Sequence, residues 1–516
     1  MPVTPTYPGV YIEEVRSGVR TITGVPTSIT AFVGRALRGP VDDPLRISSF
    51  ADFTRIFGGL SSSSLMSYSV QQYYQNGGSE AVIVRVDNGG VAASIGLPSG
   101  TVVGPTIRAG SRGLWGNSLR ARVDRASGGT YDLFVRDMGS GAEERYFSVD
   151  NSGSGPRALV NLLQSSQLVE YVSAGAGAPS AHVAVPSGDW FTETATPPTQ
   201  YTQATLGLDG SDITLTEVEG DETLKTGIYA LLKTDIFNLL VIPPYTSAAE
   251  PTAGTLDKAA KLCADKRAML LVDAPAAWTV ADASGSARDS FVQTFSTTNQ
   301  RNVALYFPRL RIADPNQGGA LATFAPSGAL AGIFARTDGE RGVWKAPAGT
   351  DAGLGGVSEL TVKLTDAENG RLNPLAVNCI RTFPVYGTIV WGSRTLRGAD
   401  ALADDDYKYV PVRRLTLFLE ESLFRATQWV VFEPNDEPLW SQIRLNVGAF
   451  LNSLFRQGAF QGRSPREAYF VKCDSETTTQ NDINRGIVNI VVGFAPLKPA
   501  EFVIIKIQQM AGDIAV

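Results

Sequence analysis

The sequence has few of the residues on which most enzyme and metal centres depend. It contains one histidine, His182, and three cysteines in 516 residues. A single histidine excludes metal sites built from several imidazoles, and no GxSxG elbow accompanies it to favour a serine-hydrolase triad. The cysteines are odd in number and far apart, so we expect buried or free thiols in a reducing compartment and no disulfide framework.

Long apolar runs and an excess of basic residues are also missing. No apolar run approaches the ~18 residues of a membrane span. The start MPVTPTYPGV has neither the basic nor the apolar region of a signal peptide. The net charge of −6 argues against a nucleic-acid binder. We therefore expect no nucleic-acid partner, no membrane insertion by this chain, and cytoplasmic assembly.

Motifs for nucleotide and metal chemistry are absent or weak. There is no GxxxxGK[ST] loop. A G-x-G-x-x-A pattern occurs at Gly153, Gly155 and Ala158, but it lacks a surrounding βαβ unit of buried strands, and Glu170 comes too early for the expected acidic residue. The acidic run at residues 404–406 lacks the Gly–Glu spacing of a calcium loop. We predict no catalytic, cofactor-binding or metal-binding residues, and no enzyme activity.

The residues that are present describe a large globular chain. Apolar residues make up 43 % and charged residues 19 %, and the length is too great for one core. We predict an extended N-terminal arm, a discontinuous central α/β domain, an inserted mostly-β domain, and an α+β C-terminal domain. Their predicted bounds are residues 1–20 for the arm, 21–88 with 206–390 for the central domain, 89–205 for the insert and 391–516 for the C-terminal domain.

The fold class follows from the order of these patterns. Between residues 222 and 307, helical segments alternate with short, almost continuously apolar segments. That alternation is typical of parallel strands buried on both faces. Residues 89–205 instead show short alternating segments rich in Gly, Ser and Thr. The sequence therefore predicts an α/β and α+β multidomain protein.

The C-terminal region is predicted to contain a long helix over residues 439–457 and a short strand at residues 429–432 (WVVF). The helix has a broad apolar stripe at 3.6-residue spacing, with Asn446 on the opposite, polar side. Arg444 falls inside the apolar sector. It either stays within its own unit, by snorkelling to the surface or by forming an internal ion pair, or it offers a cation to an acidic partner surface. The first interpretation is favoured.

Two apolar, strand-like segments lie at the ends of the chain: residues 8–15 (PGVYIEEV) and 501–509 (EFVIIKIQQ). A terminal strand this apolar is not left as a bare edge, because its unpaired backbone groups recruit other chains. It either completes a sheet in its own subunit or pairs with a neighbour. The predicted strand residues are Gly9, Val10, Tyr11, Ile12, Phe502, Val503, Ile504, Ile505 and Ile507.

Several stretches together resemble contractile tail sheath proteins, found in myophage tails, R-type pyocins and extracellular contractile injection systems. Besides PGVYIEEV and the terminal strand, they are FTRIFGG with YYQNGGSEAVIVRV, DIFNLLVIPP, NPLAVNCIRTFPVYGTIVWGSRTL and RRLTLFLEESLFRATQWVVFEPNDEPLW. The insert at residues 89–205 matches no named domain closely.

The resemblance implies a tail-sheath fold with a conserved C-terminal domain, and a helical, six-start homo-oligomer around an inner tail tube protein. It implies that both terminal arms join a sheet on a neighbour's C-terminal domain, and that contraction needs no nucleotide and no cofactor. Baseplate and tail terminator or cap proteins are the further implied partners. The resemblance also implies that the inserted domain at residues 89–205 faces outward, and it makes the inner tube the possible contact of Arg444. The chain would be a component of a phage virion tail or a contractile injection particle. A passive shell with swapped strands, or an α/β enzyme, remains as an alternative.

Overall fold

The structure, a computed structural model, describes residues 21–100, 102, 104–127, 129–150, 154–184 and 188–506. The chain divides into two compact units. Met1–Thr27, Thr337–Pro347 and Asp404–Val516 form one, here named the C-terminal unit. Ser28–Arg336 and Ala348–Ala403 form the other, the central unit. The domain bounds predicted from the sequence are a finer division than this one, and they stay predictions.

The described residues contain twenty strands. In chain order they are β1 (Thr30–Gly34), β2 (Leu45–Ile47), β3 (Ala81–Arg85), β4 (Ser94–Gly96), β5 (Thr106–Ala109), β6 (Leu119–Ser127), β7 (Thr130–Asp137), β8 (Glu143–Asp150), β9 (Val169–Ser173), β10 (Thr202–Gln203), β11 (Leu239–Val241), β12 (Met269–Asp273), β13 (Val303–Phe307), β14 (Leu310–Asp314), β15 (Ala320–Phe324), β16 (Glu359–Leu360), β17 (Val377–Phe383), β18 (Gly387–Val390), β19 (Tyr469–Lys472) and β20 (Val491–Phe494).

The same residues contain thirteen α-helices, with short 3₁₀ turns between elements. They are α1 (Phe50–Phe57), α2 (Leu65–Gln75), α3 (Leu159–Leu162), α4 (Leu215–Glu219), α5 (Ala253–Asp265), α6 (Val280–Ala283), α7 (Ser286–Gln293), α8 (Ser327–Arg341), α9 (Asp366–Leu372), α10 (Val410–Ala426), α11 (Glu437–Arg456), α12 (Pro465–Ala468) and α13 (Gln480–Asn484).

The central unit is built on an eight-stranded sheet in the order β18-β17-β13-β12-β11-β1-β3-β2. The six inner strands are parallel, and one antiparallel strand closes each edge. Both faces are covered. Ala31 and Val33 join an apolar cluster with Cys263 of α5, whereas Phe32 of the same strand meets the ring of Tyr73 on α2 edge-on. Burial on two faces explains why β1, β3 and β13 read as continuous apolar runs.

Antiparallel sheets make up the region that the sequence predicts as an insert. One has the order β10-β6-β7-β8 and the other β4-β5-β9. Their inward-facing residues, among them Ile107, Leu133 and Val149, share one apolar core. The mixed α/β multidomain fold class is therefore confirmed.

In the C-terminal unit, helices α10 and α11 pack with the two-stranded antiparallel sheet β19–β20. The strand predicted at residues 429–432 is wrong. A 3₁₀ turn, Gln428–Val430, occupies its start, and a tight turn follows in which Glu433 N donates to Val430 O at 3.2 Å. Phe432 has φ 70°, a left-handed conformation that cannot belong to a strand.

Candidate inter-subunit site

The core of the C-terminal unit is the apolar stripe of α11 packed against α10. Leu415 and Leu419 of α10 contact the same cluster as Ile443 and Phe450 of α11. The predicted stripe is confirmed, but the placement of Asn446 on the polar side is wrong, since it is 3 % exposed. Asn446 lies three residues after Ile443 and four before Phe450, so it shares their face of the helix.

Helix α11 begins with a side-chain cap. Asp436 Oδ1 accepts from Leu439 N at 3.1 Å, and Pro438 occupies the first turn, where no intrahelical donor is needed. The preceding residue, Asn435, does not cap the helix but binds two other groups. Its amide donates to Ile487 O at 3.0 Å and accepts from Trp440 Nε1 at 2.8 Å. The loop before α11 is thereby tied to the segment that leads into β20.

The sheet β19–β20 is small and has free edges within the described part of the chain. It pairs Tyr469 with Phe494 and Lys472 with Val491, and no third strand joins it there. One face packs on the α11 core, while Phe470 on the other face is 52 % exposed. Two strands of four residues are too few to be stable alone, so this sheet depends on packing and can accept added strands.

Residues 502–505 lie on the surface as an exposed apolar chain. Residues 501–506 have no regular secondary structure in the isolated chain. Phe502, Val503, Ile504 and Ile505 are 74, 81, 82 and 79 % exposed. The preceding Glu501 is anchored, because its carboxylate accepts from the Tyr409 hydroxyl at 3.2 Å. Gly9, Val10, Tyr11, Ile12 and Ile507 lie outside the described residues.

Thr27, here called the root of the N-terminal segment, is held by a buried ion pair that was not predicted from the sequence. Asp338 and Arg414 face each other with side chains 4 and 3 % exposed, and Arg414 Nη1 donates to Asp338 Oδ1 at 2.7 Å. Both also bind Thr27: its hydroxyl donates to Asp338 at 2.6 Å, and its carbonyl accepts from Arg414 at 2.9 Å. The one available signal was the pair Arg413 and Arg414 in the first half of α10, where the other residues are apolar or threonine.

Arg444 is satisfied within the C-terminal unit. Its guanidinium forms an ion pair with Glu437 at 2.5 Å and donates a short hydrogen bond to Cys473 O. Its side chain is 31 % exposed. These are the contacts that the internal-pair reading expects. The inner-tube contact stays a prediction.

The residues considered for chemistry have structural roles where the structure describes them. His182 Nδ1 accepts from Val123 N at 2.9 Å, inside the insert. Asp404 accepts from the backbone of Asp406 in a surface turn at 3.1 Å. Gly153 lies outside the described residues. Among the residues described, no group of three or more His, Cys, Asp or Glu is placed to hold a metal ion. None of the described helices has the length and apolarity needed to span a membrane.

Comparison with known proteins identifies the family. The phage tail sheath protein central domain matches residues 218–396, and the phage tail sheath C-terminal domain matches residues 403–510. Together the two matches span more than half of the chain. Both lie where the structure places the parallel sheet and the α10–α11 unit.

Individual proteins to which the chain is similar are also tail sheath proteins. The chain is 26 % identical over 188 residues to the tail sheath protein of Vibrio phage KVP40, which is 36 % of this chain but only about a quarter, 26 %, of that protein. It is 25 % identical over 284 residues to a prophage major tail sheath protein of Pseudomonas aeruginosa strain UCBPP-PA14, covering 54 % of this chain and 67 % of that one.

A solved structure extends the likeness to almost the whole chain. The helical sheath of the anti-feeding prophage in its contracted state is 25 % identical, with a TM-score of 0.57 over 98 % of this chain and 100 % of that chain. The resemblance noted in the sequence is confirmed. From its two matched domains and its fold, this chain belongs to the family of contractile tail sheath proteins.

Proposed function

We propose that this chain is the structural subunit of a contractile sheath. It polymerises as a six-start helical tube around an inner tail tube, and neighbouring subunits are linked by strands exchanged from their termini. The observation that carries the proposal is the exposed apolar segment Phe502–Ile505 in a unit whose only sheet, among the described residues, has two strands with free edges.

The linkage itself is strand addition. Residues 501–509 of one copy, and residues 8–15 of another, would pair with the edges of β19–β20 in a neighbour. Each added strand forms several main-chain hydrogen bonds, each worth about 0.5–1.5 kcal/mol net. It also covers apolar side chains such as Phe470. Links of this kind hold while the globular bodies slide and rotate, as contraction requires.

Contraction would then release energy stored at assembly, with no nucleotide and no enzymatic step in this chain. The baseplate and the tail terminator or cap proteins would bound the tube at its two ends. The assembled particle, built in the cytoplasm, is a phage tail or a contractile injection system.

The test is a pair of variants at one position. Ile504→Pro removes a main-chain donor and prevents the segment from joining a ladder, whereas Ile504→Ala keeps the backbone and removes only side-chain atoms. We expect uniform hollow tubes in negative-stain micrographs for the wild type, shorter or fewer tubes for Ile504→Ala, and none for Ile504→Pro. Ordered tubes of Ile504→Pro equal to those of the wild type would contradict strand exchange at this end.

A further inference from the structure

The tight turn at Val431 and Phe432 displays an aromatic side chain in a strained conformation. Val431 has φ −66° and ψ 128°, and Phe432 has φ 70°, the combination of a type II turn. The second central position of that turn favours glycine, because a side chain there meets the backbone. Phe432 is 103 % exposed and Val431 is 60 % exposed, so neither side chain offsets the strain by packing in its own unit.

A bulky aromatic at a glycine position, without contacts of its own, points to a partner. Glycine would be more stable there in the isolated subunit. Val431 and Phe432 form a contiguous exposed apolar pair, and aromatic side chains, phenylalanine among them, are enriched at protein interfaces. The surrounding loop is acidic, since Glu433 and Asp436 are both exposed. The occupant should therefore be apolar with basic residues beside it.

The path of the N-terminal segment identifies a candidate occupant. Thr27 lies beside Arg414, in the second turn of α10, and Val25 N donates to the Ser422 hydroxyl at 3.2 Å, two turns further on. Gly24 lies against the Phe418 ring, and Ile22 packs on the same apolar cluster as Trp429 and Val430, the residues that lead into the turn. The Val431–Phe432 turn follows the C-terminal end of α10 after only one 3₁₀ turn.

Length and chemistry fit. Residues 15–20 directly precede the described part of this segment, which begins at residue 21, and six residues of extended chain span at most about 20 Å. That stretch reads VRSGVR, so it carries Val15 and Val19 as apolar groups and Arg16 and Arg20 as cations. The other exposed apolar segment of this unit, Phe502–Ile505, starts from Glu501, which is bound to Tyr409 at the opposite end of α10.

We propose that the Val431–Phe432 turn is the docking site for residues 15–20 of the same copy. Val19 covers the Phe432 ring, and Arg16 and Arg20 pair with Glu433 and Asp436. The role of this docking in assembly rests on the proposed function, because the docked residues 15–20 set the direction in which the strand at residues 8–15 extends towards a neighbouring subunit.

The first test is cysteine cross-linking in the monomer. The three native cysteines are buried, and burial raises the pKa of the Cys379 thiol to about 12 and that of Cys473 to about 11, so the background is low. Val19→Cys with Glu433→Cys should oxidise to an intramolecular disulfide. Val19→Cys with Asp406→Cys, at the other end of α10, is the control, and we expect it to react at least tenfold more slowly.

The second test uses the strained, left-handed backbone conformation of Phe432. Phe432→Gly should raise the Tm of the monomer by about 2 °C, while it slows the disulfide of the first pair at least tenfold and reduces tube formation. Leu206→Gly is the matched control, because Leu206 is also at positive φ, 69°, and 76 % exposed. It should raise the Tm similarly and leave the disulfide rate unchanged.

The outcomes separate this proposal from the sheath function. A disulfide that forms only between chains on assembly, no disulfide at all, or an unchanged rate in Phe432→Gly would overturn docking in the same copy. An intramolecular disulfide at position 433 supports it, whatever the tubes do. Normal tubes from Ile504→Pro would overturn the terminal strand exchange and leave this docking site standing.

Discussion

His182, at the scale of single residues, is held as a neutral acceptor within the insert. Its Nδ1 accepts from Val123 N at 2.9 Å, and Nε2 lies 3.1 Å from the Thr202 hydroxyl. Burial is the main reason that the pKa of the ring falls to about 4; the nearby Arg122 contributes in the same direction, and Glu193 has a smaller opposing effect. Protonation of Nδ1 would place its N–H group against the backbone N–H of Val123, so the ring is held in its neutral form.

We expect this histidine to make stability depend on pH. Its pKa is lowered on folding, so the unfolded chain binds a proton near pH 6.5 that the folded chain refuses until about pH 4. The stabilisation is complete above pH 6.5 and is lost as the pH falls towards 4. Because the ring is partly exposed, we expect the unfolding free energy to fall by only about 1–3 kcal/mol over this pH range.

Denaturant unfolding at pH 7.0 and pH 4.5 measures this loss. His182→Asn is the control, since its amide oxygen can accept from Val123 N without titrating. The wild type should lose more stability than the variant between the two pH values. An equal loss in both proteins would show that other groups cause the pH dependence.

Arg444 is the second residue that we can test. Arg444→Glu places a carboxylate against Glu437 and the Cys473 carbonyl, so we expect a loss of about 1–2 kcal/mol in unfolding free energy. The double variant Arg444→Glu, Glu437→Arg restores an ion pair with reversed orientation and should regain part of that loss.

Capture of the inner tube by the same variants tests the other interpretation. If Arg444 serves only its own unit, the double variant binds tube as the wild type does. Stable double-variant subunits that fail to capture inner tube would instead assign the cation to the tube surface.

The terminal segments are the elements on which assembly depends. The predicted strand at residues 501–509 is not formed over its described part, residues 501–506, in the isolated chain. A strand needs a partner for its backbone groups, and in this unit β19–β20 is the available edge. A strand formed on a neighbouring subunit would bury its apolar side chains and would also give its backbone N–H and C=O groups hydrogen-bond partners.

Deletion of residues 1–15 tests the N-terminal segment. The subunit should fold, because Thr27 and the ion pair of Asp338 with Arg414 hold the root without those residues. Ordered tubes should not form, since a strand contributed to a neighbour is lost. Circular dichroism and the Tm report folding, and negative-stain microscopy reports assembly. Deletion of residues 1–7, which spares PGVYIEEV, is the matched control and should assemble. Normal tubes from the longer deletion would contradict an N-terminal link.

For the whole molecule, the prediction concerns contraction. Particles that contain this sheath should shorten and widen when triggered by mild denaturant or acid, with apyrase present and ATP absent, because the energy is stored in the extended lattice. Cryo-electron micrographs before and after triggering measure diameter and pitch. A single diameter and pitch in both states would favour the passive shell, and dependence on added ATP would contradict the stored-energy mechanism.

Much of the fold was predictable because its signals are local. Continuous apolar runs predicted parallel strands such as β11 and β13, and both are buried on two faces. The motif-bearing stretches also led to the correct family. Arg414 was missed because its partner Asp338 is 76 residues away, and a contact at that distance leaves no mark in local periodicity. Asn446 was misplaced because residue type, and not its angle on the helix, decided its side.

The sequence alone therefore determined the parallel strands of the central sheet, the long helix of the C-terminal unit and the family, since spacing, caps and turn residues act over a few neighbours. It also identified residues 501–509 as a predicted strand that needs a second strand to pair with. Only the tertiary structure decided which backbone edges stay free, where the N-terminal segment begins on α10, and that Phe432 stands in a left-handed turn with nothing covering it. Those facts depend on contacts between residues far apart in the chain, and such contacts exist only once the chain has folded.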